Sequence, residues 1–432
     1  MARPRLLLAL LLALACADVS AQQGSGVYVG GHIRRERPNT VTTLKNSGFT
    51  YVILFNVSVE SDGTLTTDGE TICKDGAYVF DRQQPHYVDD VKALKTQPTG
   101  IERVEICIGG WGNESYDRIR DLIRQQGTDA NSILYRNFKA LKDMIPEIDA
   151  VNNDDEHCYD AATAVRFHAM MFDLGYKTTV APYTNKTFWR SLVENLNTSR
   201  PGACDRVLVQ CYDGGAYNNP SDWKLGGLPI HAGRTNYQTD MATSIAQMQQ
   251  WHDAAGVVGG FVWVYNDETW NLNQWASSMN RIFGDKQAEN PVVTLYSANN
   301  FGGYSVQLDE GEYTMAQLAA RGVADKDIAS FKLKAGYRLT GYANPDLTGQ
   351  SREWTDEEMP RMSVWYKRIS SLKVEPVGDD TGIEALDHSS SPNAHHPSTI
   401  YYDASGIRLQ HPRRGLNLVR TPDGSIHKVM QR

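Results

Sequence analysis

The chain has 432 residues, 41% of them hydrophobic, and a formal charge of −8 at pH 7. That length suits two or three domains, or one large barrel with a smaller module, and the hydrophobic share suits a full core. The acidic balance gives no basic footprint, which argues against nucleic acid and anionic membrane as partners.

Residues 1–21, MARPRLLLALLLALACADVSA, have a basic start, an apolar run and a small-x-small end at Val19-Ser20-Ala21. That is the pattern of a cleaved secretory leader. Cys16 raises lipid attachment as an alternative, although the residues before it fit a lipid-attachment box poorly. No later apolar run is long enough to span a bilayer. The expected location is therefore secreted or cell-surface. Cleavage would leave Cys73, Cys107, Cys158, Cys204 and Cys211. None has metal-ligand CxxC spacing, and the odd number leaves one thiol unpaired within the chain. Cys107 and Cys211 lie in strand-like runs and read as small buried hydrophobes.

From residue 26 to about 285, strand-like and helix-like runs alternate. The strand-like runs are VYVGGHI (27–33), TYVILFNVSV (50–59), RVEICIGGW (103–111), IDAVNNDDE (148–156), KTTVAPY (177–183), CDRVLVQCYDG (204–214), PIHAGRT (229–235) and VVGGFVWVYN (257–266). Helix-like runs follow most of them, among them VDDVKALKTQ, SYDRIRDLIRQQ, DAATAVRFHAMMFDLG and MATSIAQMQQWHDA. Near-continuous apolar strands alternating with helices imply a parallel sheet. Eight such units imply a closed (β/α)8 TIM barrel over 22–288, with a doubly wound open sheet as the alternative.

From 291 the texture changes. PVVTLYSANNFGGYSVQLDEGEYT and LKAGYRLTGYANPDLTGQSREWTDE are two similar halves, followed by IASFKL (328–333) and ISSLKV (369–374). This reads as an internally duplicated all-β domain over 291–376. Residues 377–398 read as a polar linker, and 399–432 as a small β module.

The segment EIDAVNNDDEH, 147–157, carries the chemistry. In a parallel barrel the C-terminal ends of the strands hold the active site. Strand side chains alternate, so Asn152, Asp154 and Glu156 share the face toward the barrel mouth, while Asn153, Asp155 and His157 point the other way. An ionised Asp154 would raise the proton affinity of Glu156, which suits a general acid for a glycosidic oxygen. A divalent-metal site and a solvated acidic loop remain open on these residues alone.

Four segments together resemble glycoside hydrolase family 18. Asp149-Ala-Val-Asn152-Asn-Asp154-Asp-Glu156 resembles its Asp-x-x-Asp-x-Asp-x-Glu signature. CIGGWGN (107–113), with Trp111, resembles its Ser-x-Gly-Gly segment; QCYDGG (210–215) and GGFVWVYND (259–267) resemble its sixth- and last-strand motifs. The resemblance implies a retaining, substrate-assisted hydrolysis next to N-acetylglucosamine (GlcNAc), in which the substrate's own acetamide oxygen attacks the anomeric carbon. By position, Glu156 is the acid, Asp154 orients the acetamido group, and Tyr212 donates to its oxygen. Asp213, Trp111, Asp149 and Asn152 fall among the substrate-binding positions, with Trp263 as the floor. Two departures stand out. Asn152 replaces an Asp and is expected to hydrogen-bond Asp154 without sharing its proton. Asp155 replaces an aromatic, and Asp-Asp-Glu resembles the endo-β-N-acetylglucosaminidase branch, so chitin-type glycans and the chitobiose core of N-glycans compete as substrates. The reading from a different class is a catalytically silent glycan-binding lectin or adhesin, which would be expected to have lost the Glu.

The 291–376 segment resembles a βγ-crystallin domain, a two-fold Greek-key unit whose relatives often bind calcium. Here DKDIAS keeps Asp325 but has Lys326 and Ala329, and YKRISS has Tyr366-Lys367 where acids would stand. Calcium is therefore doubtful at the first loop and not expected at the second, and no cofactor is expected in the barrel. YDASGIRL, GLNLVR and DGSIHKVM near the end resemble C-terminal sorting modules of type IX secretion, which implies a secretion or surface-attachment partner.

Overall fold

The computed structural model describes residues 23–266, 271–284, 286–377, 383–385, 400–403, 407–409, 411–420 and 426–431. The expected leader, 1–21, and most of the expected linker lie outside these residues. The chain divides into two compact units, one of residues 1–335 and 339–374, the other of 336–338 and 375–432.

The first unit is mixed α/β and contains a closed barrel of eight parallel strands. They are β1 (Gly24–Val29), β2 (Tyr51–Val59), β3 (Arg103–Gly109), β4 (Ile148–Asp154), β5 (Lys177–Val180), β6 (Cys204–Gln210), β7 (Ile230–Thr235) and β8 (Gly259–Tyr265). Each pairs in parallel with its neighbour, and β1 pairs with both β2 and β8, which closes the ring. All eight expected strands form, and six of them end earlier than expected, four of these before a Gly, Asp or Asn. Helices α1 (Arg37–Ser47), α2 (Tyr87–Lys95), α3 (Ser115–Gln126), α4 (Ile133–Met144), α5 (Ala161–Asp173), α6 (Lys186–Ser199), α7 (Met241–Ala255) and α8 (Leu272–Phe283) lie between and after the strands. The β6–β7 connection has only two short 3-10 turns, Asp213–Gly215 and Pro220–Trp223.

Alternation along the strands sorts the core. Val27, Val29, Val52, Leu54, Ile106, Ile108, Val151, Val207, Val209 and Val262 face the helices in one large buried cluster. Tyr28, Tyr51, Ile53, Cys107, Leu208 and Phe261, between them in sequence, fill the barrel interior with Tyr212. This is how a barrel whose strands are buried on both faces must be built. The expectation for Cys107 and Cys211 agrees: both are fully buried, and all five described cysteines are free thiols.

The same unit contains two four-stranded antiparallel sheets. One pairs Val293–Ala298 with Gly302–Leu308 and with Ser330–Leu333, and the other pairs Gly311–Tyr313 with Leu372–Val374. A buried polar seam joins this region to the barrel. The Asn280 amide on α8 donates to Gly48 O at 2.8 Å and Ala319 O at 2.9 Å, and its Oδ1 accepts from the Ser25 hydroxyl at 2.7 Å. Gly48 caps α1 with φ 90°, and a Cβ there would lie 2.4 Å from the Ala319 Cβ. Both a left-handed backbone and the lack of room demand glycine. Gly48→Ala is expected to cost about 1–3 kcal/mol of stability, read as a lower urea midpoint with an unchanged slope. An unchanged midpoint would show that the seam does not bear on stability.

The second unit contains a five-stranded sheet in the order Ile383–Ala385, Ile426–Gln431, Gly415–Arg420, Ile400–Asp403, Arg408–Leu409. Within the segment read as a linker, Ile383–Ala385 thus forms a strand, parallel to Ile426–Gln431. Three residues of Ile-Glu-Ala carry no periodicity that a sequence reading could detect.

Candidate active site

At the C-terminal mouth of the barrel a cleft of about 640 Å³ is lined by Phe55, Gly110, Trp111, Asp154, Glu156, Tyr183, Gln210, Tyr212, Asp213, Gly214 and Trp263. Six of the eight residues singled out from the sequence meet here: Glu156, Asp154, Tyr212, Asp213, Trp263 and Trp111.

Asp154 ends β4 and is almost fully buried, while Glu156, two residues on, is half-buried at the mouth. The approach of β3 to this point depends on its glycine pair. Gly110 N donates to Asp154 O at 2.8 Å. A Cβ on Gly109, whose φ is 109°, would lie 2.1 Å from that same oxygen, and one on Gly110 would press on the Phe55 ring at 2.9 Å. Only glycine lets the two strand ends close over Asp154.

Asp154 Oδ1 accepts from the Gln210 amide at 2.8 Å, and the same Gln210 nitrogen donates to Ala181 O at 2.8 Å. Burial, then the nearby Glu156, push the Asp154 carboxyl well above the ordinary carboxylate range, and the Gln210 hydrogen bond opposes this. Glu156 is raised too, by burial first and by the charges of Asp155 and Asp213, against hydrogen bonds from Tyr183 and Gln210. Two carboxyls this close do not ionise independently, so the pair holds a proton to higher pH than either alone would. Burial and the Asp154 charge raise Tyr212, which stays a neutral hydroxyl donor.

Trp263 stands edge-on to Phe55 at 4.7 Å and to Tyr28 at 5.2 Å, which fixes its plane across the cleft. Asp213 is exposed at the rim and accepts from the Tyr237 hydroxyl and the Gln238 amide, each at 2.5 Å. Trp111 is 91% exposed although it lines the cleft. A large indole left in water beside a polar cleft is an apolar surface without a covering partner among the described residues.

Two expected site residues stand elsewhere. Asp149 is at the opposite end of β4, about 16 Å along the strand from Asp154 at some 3.3 Å per residue. It pairs with Lys95 at 2.8 Å and accepts from Val104 N at 2.9 Å. The β3–β4 register shifts between Ile148 and Ala150, so Asp149 is the extra residue of a bulge and the alternation seen at Asp154 does not carry back to it. Asn152 is fully buried beneath the cleft and does not bond Asp154. Its Oδ1 accepts from the Tyr28 hydroxyl at 2.8 Å, and its amide donates to Thr179 Oγ1 at 2.9 Å. Thr179 donates in turn to buried Glu105 at 2.5 Å.

Gln210 and Tyr183 were missed. Gln210 had a usable signal, because it lies two residues before Tyr212 and so on the same face. Tyr183 is three residues beyond the end of β5, where strand alternation no longer assigns a side. Among the described residues no three His, Cys, Asp or Glu side chains converge as a metal site. In the crystallin-like loops Asp327 is paired with Lys367 at 2.6 Å.

No protein-family model matches the chain. Development-specific protein S of Myxococcus xanthus is 33% identical over 88 residues, 19% of this chain and 51% of that protein. The development-specific protein S homolog of the same organism is 31% identical over 85 residues, 20% of this chain and 48% of that protein. The chain thus spans about half the length of the curated relatives it matches. Among solved structures, the N-terminal domain of protein S is 30% identical over 20% of this chain and 97% of its own, with a TM-score of 0.19. A βγ-crystallin domain from Flavobacterium johnsoniae is 30% identical over 20% and 97%, with a TM-score of 0.20. About a fifth of the chain is therefore βγ-crystallin-like, similar to protein S.

Proposed function

We propose that the protein is a secreted glycoside hydrolase of family 18 type, built on a (β/α)8 TIM barrel, that cleaves β-1,4 linkages next to GlcNAc. The observation that carries this reading is the carboxyl pair on alternate residues at the end of β4 and just beyond it. Asp154 is buried, Glu156 is at the mouth, and the pair holds one proton above the ordinary carboxylate range, carried by Glu156 in the reactive form so that Asp154 is ionised there. A solvated acidic loop has no reason to bury its acids beneath an aromatic-lined cleft. A divalent-metal site would call for more converging oxygens than this pair supplies.

In this reading the sugar rests on Trp263. Asp154 Oδ2, which takes no hydrogen bond among the described residues, accepts the acetamide N–H. Tyr212 donates to the acetamide oxygen and steers it onto the anomeric carbon. As that C–O bond forms, Glu156 gives its proton to the departing glycosidic oxygen, and Asp154 balances the positive charge of the oxazolinium ring. Glu156, now ionised, takes a proton from the water that opens the ring, which regenerates the acid. Gln210 donates to Asp154 throughout and keeps the carboxylate turned toward the acetamide.

Trp111 is assigned to a sugar bound away from the cleaved bond. Trp111→Ala is expected to raise KM about 3- to 10-fold, the worth of one aromatic contact, with kcat changing far less. Equal kinetics in the two proteins would remove Trp111 from the substrate path. The activity itself is tested by incubating the protein with chitooligosaccharides and, separately, with a high-mannose glycopeptide. Shortened chitin oligomers, or a glycan released with one GlcNAc left on the peptide, support the proposal and name the substrate. Tight glycan binding without any product would replace it with the lectin or adhesin reading.

Export through the N-terminal leader and surface attachment through the C-terminal module belong to the same proposal. No helix among the described residues is long and apolar enough to cross a membrane.

A further inference from the structure

Asp155, between the two carboxyls of the site, is only 2% exposed and points away from the cleft. Its Oδ1 accepts from the backbone N–H of His157 at 3.1 Å and of Cys158 at 2.8 Å, and its Oδ2 accepts from that of Tyr159 at 2.8 Å. Three successive amides of one turn therefore converge on one carboxylate. On the other side, Asp155 N donates to Asn153 Oδ1 at 2.9 Å, and the Asn153 amide donates to His168 Nε2 at 2.9 Å. Burial lowers the His168 pKa to about 3, so its ring is neutral and can accept there while Nδ1 bonds Thr178 at 3.0 Å. The turn is also tied outward. The His157 ring meets Asp117 on α3 at 2.6 Å, Arg120 donates to Cys158 Sγ at 3.4 Å, and Tyr159, at φ 50°, packs edge-on to Phe188 at 5.2 Å.

Glu156 is thus the one residue between two pinned amides, Asp155 N and His157 N. We infer that Asp155 is a positioning residue, which fixes the Glu156 carboxyl against Tyr183 and Gln210 by holding the turn that follows it. The chemistry of this inference rests on the hydrolase reading, but its geometry does not. The charge of Asp155 acts in the same direction. The groups whose charge or hydrogen bonds reach Glu156 are Asp154 at the end of β4, Asp155 and Tyr159 of the following turn, Cys107 on β3, Tyr183 beyond β5, and Gln210, Tyr212 and Asp213 at the end of β6 and beyond. Those facing Asp155 are Tyr116 and Asp117 on α3, with His157, Cys158 and Tyr159 of the turn. Among them the Asp155 carboxylate helps Glu156 keep its proton.

Asp155→Asn keeps the shape but not the bonding. Its amide oxygen can still accept two of the N–H groups, while its NH₂ meets the Tyr159 N–H donor to donor. The test uses the full chain and compares wild type, Asp155→Asn and Asp155→Ser, the last keeping one short acceptor. Amide hydrogen exchange over 157–159 is measured alongside kcat, KM and the pH profile on an aryl chitobioside. Expected are faster exchange at 157–159, a kcat about tenfold lower with little change in KM, and a basic limb moved to lower pH, because Glu156 loses a neighbouring negative charge. Unchanged exchange and kinetics would overturn the inference. So would a lower kcat with an unmoved pH profile, or loss of folding in both variants, since Asp155 would then serve the fold alone. If wild type shows no hydrolysis, the hydrolase reading fails and the exchange result alone decides whether Asp155 holds the turn.

Discussion

Glu156→Gln is expected to lower kcat by about 10²–10⁴ while leaving folding and glycan binding nearly intact. The amide matches the carboxyl in shape and can still meet Tyr183 and Gln210, but it has no proton to give to a glycosidic oxygen. Half-burial also means that the exchange leaves no costly unpaired charge behind. The effect should be confined to kcat, since the leaving oxygen is charged only in the transition state. Steady-state kinetics with circular dichroism as the folding control decides it. Turnover within a factor of two of wild type would remove Glu156 from the mechanism.

The second large effect is expected at Asn152→Asp, as a pH-dependent loss of stability. Asn152 accepts from Tyr28 and donates to Thr179, whose own hydrogen goes to Glu105. An ionised carboxyl at this position can take the Tyr28 hydrogen bond but meets the Thr179 oxygen acceptor to acceptor. It also lies fully buried on the same face as Asp154. Both effects raise the pKa of the introduced carboxyl in the folded state above its unfolded value of about 3.9. The sign follows from linkage. Below about pH 4 the group is protonated in both states and the electrostatic penalty is absent. As pH rises, the unfolded chain ionises first and stability falls until the folded pKa is reached. A raise of about three units corresponds to about 4 kcal/mol lost. Urea midpoints of variant and wild type at about pH 4.5 and pH 8 test it. The gap between the proteins should widen at the higher pH, whereas an equal gap at both would show that residue 152 is outside the buried network.

The barrel was legible because its strands are buried on two faces and read as apolar runs. The alternation that sends Val151 to the helices sends Asp154 and Glu156 to the mouth. Distance along the strand explains the failure at Asp149. The family-like spacing drew it into the site, whereas its place at the start of β4, with Lys95 as partner, puts it at the far end of the barrel. The partners of Asn152 were not legible at all, since Tyr28 and Thr179 are 124 and 27 residues away and no local pattern links them. The seam at Asn280 is of the same kind, one amide whose partners come from β1, the end of α1 and the helix at Met315–Ala320. Asp155 was visible as a departure from pattern, but its purpose needed the three amides of the turn.

The central claim is that hydrolysis proceeds through the substrate's acetamide with Asp154 and Glu156 in the stated roles. It is tested most directly by the configuration of the first product. A chitooligosaccharide or chitobiose-core substrate is hydrolysed in the NMR tube and the anomeric protons are followed before mutarotation. The account predicts that the new reducing end appears first as the β-anomer and that Glu156→Gln abolishes the signal. Initial release of the α-anomer would mean direct attack by water and would contradict the account.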